Sequence, residues 1–311
     1  MKKHFFTLIL SLLPVLALAQ WQPTKPITVV YGIGPGSGNE RAFSIPASLI
    51  EREGRAKFIN QHIPGVETVL GSNEFVKMPN DGHHIQVISI DATFIISELY
   101  NKQAMRYSLD DYTPVISIGK APFVLIAHPG VLVNNMKEFV EYFRKDSRQI
   151  KIGIGTSGKI PTEHLFNLIG VRDHQAISVP YKSGNQAALD VAGGHLPFAL
   201  LSAPIAYGLY LDGKVKFVAQ TGSNRIEKIK TVSLAREALP GYVHENHWGV
   251  MLPRGTDKAV VDWYTTELNR AMATDDNRQR REDALMDLDT RFTNPTAWRR
   301  EIEQQRALWL K

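Results

Sequence analysis

The chain has 311 residues, 43% of them hydrophobic, with 36 Lys and Arg against 31 Asp and Glu and no cysteine. The lack of cysteine excludes disulfides, thiolate nucleophiles and cysteine-based metal sites. A net charge of +5 spread over this length excludes a nucleic-acid footprint and mildly favours an anionic ligand. Lys2 and Lys3 precede an apolar run from Phe5 to Ala19 that closes on the small residues of Ala17-Leu18-Ala19, the pattern of a secretory signal peptide cut after Ala19. Read as a membrane anchor, the run falls short of the ~20 apolar residues a spanning helix needs, and Pro14 interrupts it. No cysteine follows it, so a lipid anchor is not expected. The remaining roughly 290 residues exceed one ordinary core and predict two domains.

In chain order, β-branched runs predict strands at Ile27–Val30, His84–Ile90, Pro114–Ile118, Phe123–His128, Ile150–Ile154, Pro197–Leu201 and Val215–Gln220. Amphipathic patterns predict helices at Glu40–Glu53, Met136–Lys145, Thr162–Ile169, Gln186–Ala192, Lys258–Ala273, Asp276–Leu288 and Thr296–Leu310. This alternation is that of an α/β protein with mostly parallel sheets flanked by helices. Two such sheets without a linker imply interleaved domains, with crossings at Val115–Ala121 and around His247–Met251. The expected division is residues 20–118 and 229–311 in the first domain and 119–228 in the second.

Ligands of open parallel sheets sit beyond the carboxyl ends of strands, where loops enter helices. The first such loop is the glycine-rich turn Gly32–Gly38, leading into a helix near Asn39. The backbone N–H groups of Gly34, Gly36, Ser37, Gly38 and Asn39, aided by the helix dipole, make a candidate carboxylate site. A dinucleotide fingerprint fails, because Ser37 takes the place of the third glycine. Gly153–Lys159 spells G-x-x-x-x-G-K, but Ile160 stands where a Ser or Thr must ligate magnesium. It reads instead as a second anion loop carrying Thr156, Ser157 and Gly158. Lys159 either adds a charge-assisted bond or is solvated.

A third turn, Tyr181-Lys182-Ser183-Gly184, precedes a helix that Asn185 can cap and that Gly193-Gly194 can end in the left-handed conformation. Tyr181 and Lys182 are expected in the same cleft. Trp248 either closes over the organic body of a ligand or is a core residue, and Arg41 is expected to project outward. His83, His84, His244 and His247 lack the spacing of a metal site. No G-x-S-x-G element or carboxylate pair marks a catalytic centre, so neither an enzyme nor a cofactor is expected.

Across nearly the whole chain the motifs fall in one order. They are Lys25-Pro26-Ile27, the turn Gly34-Pro35-Gly36-Ser37-Gly38, Pro79-Asn80-Asp81-Gly82, Val179 to Gly194, Gly213-Lys214-Val215-Lys216, Leu239-Pro240-Gly241-Tyr242 with Trp248, and Pro253-Arg254-Gly255-Thr256. In this order they resemble the substrate-binding proteins of tripartite tricarboxylate transporters, the Bug family. The sequence departs from the pattern at Gly38-Asn39, where Thr-Asp is usual, at Glu67 and Thr68, where glycines are usual, and at Lys159-Ile160, where smaller residues are usual. The resemblance implies a two-domain periplasmic-binding-protein (Venus-flytrap) fold in which backbone N–H groups and bridging waters hold a carboxylate. It implies a periplasmic receptor for a small organic anion, a di- or tricarboxylate or an aromatic carboxylate. The partner would be the membrane permease of such a transporter, or alternatively a sensor protein. A monomer is expected.

Overall fold

Tyr112–Ala127 forms one strand of 16 residues where the sequence pattern predicts two. Gly119 and Pro122 interrupt the β-branched pattern, but a partner strand, Glu245–Pro253, pairs with it antiparallel from Tyr112↔Pro253 to Pro122↔Glu245. Irregularities in register between Pro114 and Ile116 and between Ser117 and Gly119 absorb the break, as bulges do. The computed structural model describes residues 21–145, 149–170, 176–288 and 290–310; the expected signal peptide lies outside them. No helix among the described residues is long and apolar enough to cross a membrane.

The elements run β1 (Ile27–Tyr31), α1 (Gly38–Arg52), β2 (Phe58–His62), α2 (Val69–Phe75), β3 (His84–Ser89), a π-helical turn at Asp91–Ile96 and α3 (Ser97–Asn101). Then come β4 (Tyr112–Ala127), α4 (Met136–Lys145), β5 (Ile150–Ile154), α5 (Lys159–Ile169), β6 (Ala176–Pro180), α6 (Gly184–Ala192), β7 (Phe198–Ser202), α7 (Ala203–Leu211) and β8 (Lys216–Gln220). The chain closes with β9 (Glu245–Pro253), α8 (Lys258–Met272), α9 (Asp275–Asp283) and α10 (Pro295–Trp309).

The strands follow the order β2-β1-β3-β9-β4-β7-β5-β6, with β8 also on β4. The sheet therefore has two halves. In one, β1 pairs parallel with β2 and β3, and β3 pairs antiparallel with β9. In the other, β5 pairs parallel with β6 and β7, while β7 and β8 pair antiparallel with β4. Because β4 belongs to both, the halves share one continuous backbone. Reciprocal bonds, Lys120 N–H to Asp287 O and Asp287 N–H to Lys120 O, both 2.8 Å, also fasten the segment after α9 to the middle of β4.

Each half has its own core. Ile27, Val29, Phe43, Trp248, Trp263 and Tyr264 pack together on the first, and Phe123, Leu125, Phe139, Phe143 and Phe198 on the second. Each such side chain withdrawn from water contributes about 1.5–3 kcal/mol, enough for both halves to stand on burial without cross-links. The predicted α9 ends five residues early, at Asp283, because Leu285 takes a left-handed φ of 55°. The predicted capping of α6 by Asn185 is replaced by an N-cap at Ser183, whose side chain makes no capping bond. Of the two glycines after α6, Gly194 alone is left-handed, at φ 76°, while Gly193 stays right-handed at φ −80°.

Candidate functional site

The glycine-rich turn connects β1 to α1, and Ser37 is the N-cap, its Oγ accepting from the Glu40 N–H at 3.3 Å. Glu40 folds back so that its Oε2 accepts from the Gly36 N–H at 2.8 Å. One N–H that the sequence offers to a ligand is therefore already used by the helix's own carboxylate, a close relative of the capping box. Gly36, at φ 75°, needs the freedom of glycine. It faces the Asn185 side chain, and Gly34 faces the Lys182 carbonyl, each 3.6 Å from where a Cβ would stand.

Opposite, β5 leads through Gly155 into a single 3-10 turn, Thr156–Gly158, and then into α5, which begins at Lys159 rather than Thr162. Between the two loops lies a cavity of about 40 Å³. Ser37, Gly38 and Asn39 form one wall, Thr156, Ser157, Gly158, Lys182 and Ser183 the other, with Phe123, Leu200, Leu201 and Ile205 supplying apolar surface. The structure thus brings together six of the predicted residues of the two loops and Lys182. The Asn39 amide is not free within it, since Nδ2 donates to the Val87 carbonyl at 3.2 Å.

Pattern reading missed Ser89, Ser202 and Asn246. Ser89 Oγ donates to Asn246 Oδ1 at 2.6 Å and lies 3.2 Å from Ser157 Oγ, linking the two halves at the cavity. Ser202 is 3% exposed, sits in the cavity wall, and its Oγ has no partner among the described residues. A buried hydroxyl in that state costs about 1–3 kcal/mol unless something bonds it. Its place at the carboxyl end of β7 was the available signal.

A second, larger chamber of about 280 Å³ adjoins the first through Ile33, Thr156 and Lys182, and Glu67, Thr68 and Tyr181 also line it. The Tyr181 hydroxyl donates to Asp190, and burial together with that carboxylate pushes its pKa up to about 12. Val66, Glu67 and Thr68 hold φ of 46°, 52° and 82°, a run of non-glycine left-handed residues of the kind that gathers at functional sites. Side-chain bonds brace it: Thr68 Oγ1 donates to the Ala92 carbonyl at 3.3 Å, and Ser97 Oγ to the Glu67 carbonyl at 3.1 Å.

Four predicted residues line neither chamber: Gly34, Gly36, Trp248 and Lys159. Trp248 is fully buried in the first core beneath Gly38, behind the cavity and not in its wall. Lys159 pairs with Glu67 at 3.4 Å, its Nζ 3.5 Å from the centroid of the Tyr100 ring, so its charge is engaged, and it is not in the wall of the small cavity. Arg41 is exposed.

Beside the cleft, a pocket of about 240 Å³ is lined by Asp91, His244, Glu245, His247 and Trp309 among others. His164 Nδ1 and His244 Nε2 are 2.8 Å apart, and His244 stacks on Trp309. Burial, then the neighbouring His164, holds the His244 pKa down at about 3. Burial raises that of Asp91 to about 7. Among the described residues no group of three or more His, Cys, Asp or Glu could hold a metal ion.

A two-part sheet joined by a long shared strand, with a polar cavity between loops from both parts, defines a solute-binding protein of the periplasmic type. Residues 49–300 match the family described as tripartite tricarboxylate transporter family receptor, and the chain belongs to that family. It is 22% identical over 256 residues to Protein BugT of Bordetella pertussis, a match covering 82% of this chain and 78% of that one. In fold it is similar to MatC of Rhodopseudomonas palustris with bound malate, at a TM-score of 0.82 and 22% identity over 92% of this chain and 98% of that one. It is similar also to an R. palustris protein solved with adipate, at a TM-score of 0.82 and 22% identity over 92% and 95% of the two chains.

Proposed function

We propose that this chain is a periplasmic receptor that captures a small organic anion between the two halves of its sheet and delivers it to the membrane permease of a tripartite tricarboxylate-type transporter. The observation that carries this reading is the buried Ser202 hydroxyl, without a partner among the described residues, in a cavity walled by Ser37, Thr156, Ser157 and Ser183. Neutral donors of this kind hold a carboxylate without the desolvation cost of burying a second charge. The structures of MatC with malate and of the R. palustris protein with adipate support a carboxylate as the ligand class.

The lobes divide near residues 118/119 and 228/229, so that β4 crosses between them and β9 runs beside it from the first lobe. At about 40 Å³ the inner cavity has room for little more than a water or two, so a ligand enters an opened cleft and closes it. Contacts from both lobes stabilise the closed form, and ligand binding becomes a population shift that the permease reads. The protein works as an exported monomer, cut after Ala19, and binds without turnover.

Thermal unfolding of residues 20–311 against mono-, di- and tricarboxylates, aromatic acids, amino acids and sugars tests the reading. An acid at about 100 times its dissociation constant should stabilise by roughly 2.7 kcal/mol. Stabilisation by sugars alone, or turnover of a bound acid, would overturn it.

A further inference from the structure

The charges at the outer chamber are arranged across the cleft. Glu67, on the strained turn before α2, carries one carboxylate: Oε1 lies 3.4 Å from Lys159 Nζ on the opposite lobe, and Oε2 accepts from Asn101 Nδ2 at 2.9 Å. The ammonium of Lys159 rests on the face of Tyr100, 3.5 Å from its centroid, and the Tyr100 hydroxyl donates to Glu163, one turn along α5 from Lys159. Lys159 and Glu67 are about a quarter exposed, at 25% and 28%, where charges are screened less than at an open surface. The positive charge next to the anion loop is therefore already neutralised, and by a residue of the other lobe. Lys182, in the wall of both chambers, has no hydrogen-bond or ion-pair partner among the described residues.

We infer that Glu67 sets the charge class of the ligand: by occupying Lys159 across the closed cleft it leaves Lys182 as the cation facing the chambers, so the site accepts mono- and dicarboxylates and rejects tricarboxylates. This rests on the reading of the cleft as a carboxylate site. One carboxylate of the ligand meets the hydroxyls of the inner cavity and a second meets Lys182. A third meets no free cation and lies beside the carboxylate of Glu67, a like charge that disfavours it.

Calorimetric titration of the wild type, Glu67→Gln, Lys159→Met and Lys182→Met with succinate and with citrate at low ionic strength tests the inference. The wild type should prefer succinate to citrate by at least about 100-fold, and Lys182→Met should lose at least about tenfold in succinate affinity. Glu67→Gln keeps the size of the side chain and the acceptor for Asn101 but frees Lys159, and should narrow the preference by about tenfold or more, equivalent to about 1.4 kcal/mol. Lys159→Met leaves Glu67 unpaired and should keep the preference at least as large as in the wild type. Losing the cross-cleft pair weakens closure for both acids alike, so their ratio isolates the charge effect, and a preference set by size would not move in Glu67→Gln. An unchanged ratio in Glu67→Gln, or a wild type that binds citrate as tightly as succinate, overturns the inference while leaving the receptor reading in place. Failure of both acids and of the wider acid panel to bind the wild type overturns that reading itself.

Discussion

Trp248 fills the space directly beneath Gly38, so that a Cβ on Gly38 would stand 2.7 Å from the indole Cζ2. The indole comes from β9, which pairs with the shared strand β4, and Gly38 is the first residue of α1 and part of the cavity wall. The cavity is thus seated on a core tryptophan, which acts on it through packing.

Gly38→Ala should therefore push the start of α1 off its seat. Overpacking of this kind costs about 1–3 kcal/mol, read as a lower urea midpoint, and the displaced loop should also bind ligand more weakly. Equal stability of Ala and Gly at this position would mean that α1 does not rest on the indole.

Ser202→Ala separates stability from binding. With no partner for Oγ among the described residues, removing it should leave stability unchanged or raise it slightly. Binding should weaken by about 1–2 kcal/mol, because a bond to the charged ligand is lost. Calorimetry beside a melting curve reads both. Parallel losses in the two measurements would place the hydroxyl in the scaffold.

The pocket holding Asp91 and His244 makes opposing contributions to stability as pH changes. His244, held at about 3 when folded, takes a proton near 6.5 when unfolded. Its contribution is complete above pH 6.5 and is lost as pH falls towards 3. Asp91 is raised to about 7 from 3.8, so its contribution is complete below pH 3.8 and is lost as pH rises through 7. Asp91→Asn removes that loss and should stabilise the protein at pH 8 relative to pH 4.5 by roughly 1–3 kcal/mol. Melting temperatures at those two values, compared with the wild type, decide it; an unchanged difference would show Asp91 to be well solvated.

How much of this was legible depended on whether a residue's neighbours are local in sequence. Met136–Lys145 and Ile150–Ile154 were read to the residue, since each carries its own period and its own end signals. β2 was missed because Ile59, Asn60 and Gln61 are exposed and polar residues dilute its pattern. α7 was missed because Ala203–Leu211 is apolar on every side and has no periodicity. The two anion loops were visible as glycine punctuation at strand ends. Ser89, Ser202 and Asn246 were not, because single polar residues at the ends of hydrophobic strands acquire meaning only when β9 and β7 bring them to one cavity. Trp248 and Lys159 were visible, but their partners, Gly38 and Glu67, are distant in sequence, and those partners decide their roles.

The strained turn gives a last prediction. Val66 is a β-branched residue at φ 46° with half of its surface exposed, a conformation that costs an ordinary residue about 1–2 kcal/mol. Val66→Gly removes that cost, while the looser unfolded chain returns roughly 0.5–1 kcal/mol of it. The net outcome should be stabilisation of up to about 1 kcal/mol, measured as a higher urea midpoint. Thr68 and Glu67 are left-handed too, but each is held by a bond to its own side chain or carbonyl, so glycine there should gain less or lose. A destabilised Val66→Gly would mean that the valine side chain supports the turn it strains, and that the left-handed run is fixed by packing and not by the Thr68 and Ser97 bonds alone.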